Sequence, residues 1–113
     1  MRTVATDSTS TGVSADATTV WVSESNGEVI GIDENSGQIV QTVQVAANLN
    51  RIFSDGTAVW TGSNSMGTIY EISRFSGQVL GVLSVPKPGF IFSDGMHVFV
   101  TDNGTGTISE IGS

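Results

Sequence analysis

Ser54-Asp55-Gly56-Thr57-Ala58-Val59-Trp60 decides the fold, because its key positions recur at a fixed distance on either side. Asp16, Asp55 and Asp94 stand 39 residues apart, and so do Trp21, Trp60 and Phe99, each preceded by a valine (Val20, Val59, Val98). Further along, Val29 matches Ile69 and Ile108, and Ile32 matches Ile72 and Ile111. Ser36-Gly37-Gln38-Ile39-Val40 returns as Ser76-Gly77-Gln78-Val79-Leu80. Offsets of 39 or 40 hold throughout, with the one-residue slip in the loop before Gly67. A period of this length marks an architecture built from one supersecondary unit repeated in tandem.

Within each unit, short runs rich in Val, Ile, Phe, Trp and Thr alternate with clusters of Gly, Asn, Asp and Ser, the punctuation of β structure. The middle unit predicts strand A at Arg51–Ser54, B at Ala58–Thr61, C at Thr68–Ser73 and D at Gln78–Val85. Asp55-Gly56 is read as a hairpin turn between A and B, since both residue types tolerate positive φ. No stretch holds a 3.6-residue period over the roughly 10 residues a helix needs. The fold class is therefore all-β. Four antiparallel strands in about 40 residues, repeated, describe a propeller blade. Blade sheets pack face to face, so inner strands are apolar on both sides, as Val20-Trp21-Val22 and Val98-Phe99-Val100 are.

The pattern Ser54-Asp55-Gly56-Thr57-Ala58-Val59-Trp60, then Gly67-Thr68-Ile69, then Ser76-Gly77-Gln78-Val79, resembles the YVTN/NHL-type β-propeller repeat over essentially the whole chain. The resemblance implies a fold and leaves activity open, because such propellers serve as binding platforms, lyases, hydrolases and scaffolds. It also implies a ligand face formed by the D–A and B–C loops around a central channel. Streptogramin-inactivating lyases of this propeller type use His with Glu near magnesium. This chain has no His in those loops, so that chemistry is not expected of it.

The third repeat stops after strand C, at Ile111-Gly112-Ser113. At the other end, Arg2-Thr3-Val4-Ala5-Thr6 aligns with Gln41-Thr42-Val43-Gln44-Val45, so residues 1–6 read as a displaced strand D. The units are then 12–45 for blade one, 51–85 for blade two, and 90–111 for strands A to C of blade three. Closed propellers have roughly four to eight blades. Three blade-equivalents per chain predict a six-bladed ring made by an obligate homodimer, each chain lending residues 1–6 to its partner's third blade. The expected seam residues are Arg2, Thr3, Val4, Ala5, Thr6, Ile108 and Ile111. A truncated or engineered propeller fragment is the competing expectation.

Composition narrows the function. The 113 residues hold four Lys/Arg against eleven Asp/Glu, a formal charge of -7. Nucleic-acid and anionic-membrane partners are excluded as expectations, since both need clustered Lys/Arg. Cys is absent, which removes disulfides, thiol catalysis and cysteine-held metals. No apolar run approaches the roughly 20 residues needed to span a bilayer as a helix. With 15 Ser and 13 Thr beside 14 Gly, the low charge reflects turns and loops rather than disorder.

Catalytic constellations are not found. His97, the lone histidine, reads as a surface residue at a strand end, and no G-x-S-x-G, H-E-x-x-H or phosphate loop occurs. Asp33-Glu34-Asn35-Ser36-Gly37 has the start of a calcium-loop spacing but no downstream bidentate Glu, and neither it nor Asp102-Asn103-Gly104 is taken as a metal site. Cofactor and metal are both expected to be none. Trp21 and Trp60, sharing a repeat position with Phe99, read as inter-blade core. On the loop face, Glu24 and Asp102 are the acids, and Arg51 and Phe90 occupy equivalent positions with Gly12 at the entrance of strand A. Asn50, Arg51, Asn64, Lys87, Phe90, Asp102 and Asn103 are the candidate ligand residues. An Arg beside Phe and amides suits a carboxylate or another small polar ligand. The expected function is a non-catalytic, self-assembling scaffold or binding module, with a propeller-type lyase or hydrolase as the alternative.

Overall fold

In each repeat an aspartate follows the first strand and builds a turn. Asp16 Oδ1 accepts the N–H groups of Thr18 and Thr19 at 3.1 and 3.0 Å, and Asp16 Oδ2 accepts Trp21 Nε1–H at 3.0 Å. Asp55 repeats all three bonds with Thr57, Ala58 and Trp60. One carboxylate thus caps the A–B turn and fixes the indole five residues on. This differs from the two-residue hairpin expected of Asp55-Gly56. Gly56 alone takes positive φ, at 96°, because the aspartate works through its side chain and not its backbone.

A computed structural model describes residues 3–6, 8–46, 48–94 and 96–111. Eleven strands form three antiparallel sheets. The first sheet holds β1 (Ser10–Ala15), β2 (Thr19–Glu24), β3 (Glu28–Asp33) and β4 (Ile39–Gln44), in that order. The second holds β5 (Leu49–Ser54), β6 (Ala58–Ser63), β7 (Thr68–Ser73) and β8 (Val79–Ser84). The third holds β9 (Pro88–Ser93), β10 (Val98–Asp102) and β11 (Thr107–Glu110); among the described residues β11 is its edge. The all-β blade reading holds. Strand C coincides with its expected bounds, while β5 starts two residues earlier than strand A was drawn and β6 runs two residues further.

The core lies between sheets. Trp21 and Val29 of the first sheet pack with Leu49, Ile52, Val59 and Ile72 of the second. One repeat later, Trp60 and Ile69 pack with Ile91, Val98, Val100 and Ile111 of the third. Both indoles are inter-sheet core, as their shared repeat position implies. The interfaces use the same repeat positions, so one face of each sheet is shaped for the opposite face of the next.

The ends of this stack break the pattern. Val29 and Ile69 are fully buried, but Ile108, at the same position in the third sheet, is 71% exposed. On the opposite face, Ile52 and Ile91 are 6% and 7% exposed, whereas the equivalent Val13 is 68% exposed. Thr3–Thr6 form no strand within this chain. Val4 instead packs against Val22, Ile30 and Ile32 of the first sheet, as Val43, 39 residues on, packs against the second. Arg2 lies outside the described residues. Ile111 is buried in the second inter-sheet core rather than at a free face.

Candidate functional site

The inner strands β1, β5 and β9 lie side by side along one edge of the stack. Each carries a β-bulge at the same place. Thr11-Gly12 faces Ser23, Asn50-Arg51 faces Gly62, and Gly89-Phe90 faces Thr101, two residues against one in every case. A bulge bends its strand and re-aims the side chains in it. Hydroxyls of the second strand then pin the bulged backbone. Thr61 Oγ1 donates to Arg51 O at 2.7 Å, Thr101 Oγ1 accepts Phe90 N–H at 2.9 Å, and the Thr11 and Ser23 hydroxyls share a bond of 3.0 Å.

At these bulges a cavity of about 590 Å³ opens. Arg51 and Phe90 form part of its wall, with Ser10, Thr11 and Gly12 from β1. Val13, Val22, Ile52 and Ile91 supply the apolar remainder. The Arg51 guanidinium lies 4.5 Å from the Phe90 ring centroid, a cation–π stack. Gly12 lets β1 lie close against its neighbours. A Cβ there would stand 3.0 Å from Ser23 Oγ and 3.2 Å from Arg51 Cα.

The expected ligand residues divide into two groups. Arg51 and Phe90 meet at the cavity, and Asn50 supports them by accepting Asn64 N–H at 2.7 Å. Lys87, Asp102 and Asn103 form a separate cluster, where Asn103 N–H donates to Lys87 O at 2.9 Å. Asp102 Oδ1 accepts Gly104 and Thr105 N–H within its own loop. Ser10 and Thr11 are cavity residues outside the expected ligand set, as is Gly12, which the sequence reading names only as the position equivalent to Arg51 and Phe90. Their signal is positional, the equivalence of Gly12 with Arg51 and Phe90, and the bulge that makes it matter breaks strand alternation.

Glu24 is wholly buried at the end of β2. Its Oε2 accepts Ser10 Oγ–H at 3.1 Å, and its Oε1 has no partner among the described residues. Asp33 behaves as a turn cap, accepting Asn35 and Ser36 N–H, and Ser73 does the same for Phe75 and Ser76. His97 is partly exposed, with Glu110 Oε2 at 3.4 Å and Asp94 Oδ2 at 3.8 Å. Among the described residues no helix is long and apolar enough to cross a membrane.

No family model matches the sequence, and no curated protein matches it. Solved structures do. BamB from Moraxella catarrhalis superposes on 94% of this chain with a TM-score of 0.80 at 21% identity. Hydrazine synthase of Kuenenia stuttgartiensis covers 97% of it with a TM-score of 0.73 at 17% identity. Apo AztD from Citrobacter koseri covers 74% with a TM-score of 0.68 at 18% identity. The chain spans 35%, 38% and 26% of those three proteins' lengths. BamB and AztD are β-propellers, and the likeness shows the propeller fold for this chain.

Proposed function

We propose that this chain is a non-catalytic binding or scaffold module of the YVTN/NHL propeller type that closes a six-bladed ring with a second copy of itself. The reading is carried by the two uncovered faces. Ile108 at one end and Val13 at the other are exposed where their repeat equivalents are buried in the two internal interfaces. A second copy offers each face its complement, already tested twice within the chain. Two chains closing head to tail bury both ends, and six blades lie within the roughly four-to-eight range of closed propellers.

Val4 supports the strand-exchange part of the reading. It rests on the first sheet as the β4 residue Val43 rests on the second, which is where a fourth strand of a preceding blade would lie. In the ring, residues 3–6 pair with the β11 edge of the partner and remove an open sheet edge. The channel-side cavity gives the module a place for a small polar or anionic ligand.

Sedimentation equilibrium tests this directly. Two chains per particle are expected across the micromolar range, with a melting temperature that rises with concentration. A particle of one chain with a cooperative, concentration-independent melt sinks the ring.

A further inference from the structure

The cavity beside Arg51 has a more specific chemistry than a polar rim. Arg51 is one of four basic residues in a chain with eleven acids, yet no carboxylate pairs with it among the described residues. Phe90 holds its guanidinium by the face at 4.5 Å. Stacking in this way leaves the in-plane N–H fork free, the geometry that matches a carboxylate.

The second element is the Ser10–Glu24 pair. Glu24 shares its repeat position with Ser63 and Asp102, and all three are buried. Ser63 and Asp102 close on their own loops, Ser63 Oγ accepting Met66 N–H and Asp102 Oδ1 accepting Gly104 N–H. Glu24 does not. Its longer arm reaches Ser10 instead and leaves Oε1 unpartnered in full burial. An unsatisfied carboxylate oxygen in that setting is costly, and Glu24 acts on the cavity only through Ser10, which lines it. Ser10 is itself fixed in polarity. Its proton is committed to Glu24, so its lone pairs are what it offers to the cavity it lines.

We infer that the cavity binds a small organic acid carrying a second, donating group: a hydroxy- or amino-carboxylate with an apolar body. The carboxylate takes the Arg51 fork, and the hydroxyl or ammonium donates to Ser10 backed by Glu24. The apolar part covers Phe90, Ile52 and Val22. A volume of about 590 Å³ accommodates a ligand of that size. The inference rests on the binding-module reading but not on the ring, because every lining residue comes from one chain.

The test is calorimetric titration with lactate, mandelate, alanine and phenylalanine, set beside phenylacetate, which lacks the donor, and mandelamide, which lacks the charge. At least one donor-bearing acid is expected to bind, more tightly than phenylacetate, and mandelamide is expected not to. Arg51→Met should weaken that binding by about tenfold or more. Ser10→Ala should weaken the donor-bearing acid and leave phenylacetate unchanged. Phe90→Leu provides a second, milder variant at the same wall, with thermal melts confirming that each variant folds. Failure of all four donor-bearing acids to bind overturns the inference, as does binding that survives Arg51→Met. Sedimentation of the same samples separates the two readings: a monomer that binds sinks only the ring, and a dimer that does not bind sinks only the ligand.

Discussion

At the scale of single residues, Asp16 joins its own turn to the neighbouring blade. Besides capping its turn it accepts Ser54 Oγ–H at 3.0 Å and is clamped by Arg74, with Nε to Oδ2 at 2.9 Å and an Nη to Oδ1 at 3.1 Å. The clamp ties the first blade to the second. Burial opposes ionisation of Asp16, but Arg74, the Thr18 and Thr19 amides and Trp21 overcome it and hold the carboxyl well below the ordinary carboxylate range. Burial opposes ionisation of Asp55 too, and the amides of Ala58 and Thr57 with Trp60 outweigh it, so this carboxyl is also lowered, with no Arg partner among the described residues. A carboxyl whose pKa is lower in the folded than in the unfolded chain contributes stability at neutral pH. That contribution is in place above the unfolded value of about 3.9 and drains away as pH falls below it. Asp16→Asn should therefore cost about 3 kcal/mol at neutral pH, the scale for breaking a mostly buried ion pair from one side. Thermal melts at pH 7 and pH 3 check the sign: the gap between wild type and variant must narrow in acid. A gap that widens contradicts the assignment.

Among the strands, Trp21 and Gly31 are direct cross-strand partners, and a Cβ on Gly31 would lie 2.8 Å from the indole. In the second blade the same pairing is Trp60 with Glu71, whose side chain finds room. Gly31→Ala should thus destabilise by about 1–3 kcal/mol through overpacking, read as a lower midpoint in urea, although alanine normally suits a strand better than glycine. What was legible in the sequence follows the same logic of repeat positions. Tryptophan, aspartate and isoleucine at fixed intervals revealed the blades, because burial between equivalent sheets selects equivalent residues. The bulges were not legible. Asn50-Arg51 and Gly89-Phe90 break the period-two alternation, and the sequence reading starts strand A at Arg51, inside the break and two residues after β5 begins. Asp102 and Glu24 were read alike as acids of one loop face. A single methylene separates a carboxylate that caps its own loop from one that reaches Ser10, and only the structure shows that difference.

For the whole molecule the question is how the two uncovered ends are satisfied. Counterparts of Ile108 and Val13 lie in the same core cluster at both internal interfaces: Val29 with Ile52, and Ile69 with Ile91. A head-to-tail ring therefore brings Ile108 of one chain toward Val13 of the other at both seams, and burying each aliphatic side chain is worth about 1.5–3 kcal/mol. This geometry has a consequence that a face-to-face dimer lacks. In the proposed ring Ile108→Asp places a charge in both seams, and so does Val13→Lys, so each variant alone should sediment as one chain. Mixed in equal amounts they can form a ring with one seam native and the other pairing aspartate with lysine. The mixture should then regain two-chain particles, and native mass spectrometry should find one of each variant in them. A face-to-face dimer would join Ile108 to Ile108, and mixing would restore nothing at a seam that buries aspartate against isoleucine. Recovery of mass on mixing, or its absence, decides between these closures, and the outcome also fixes which loops face one another across the channel.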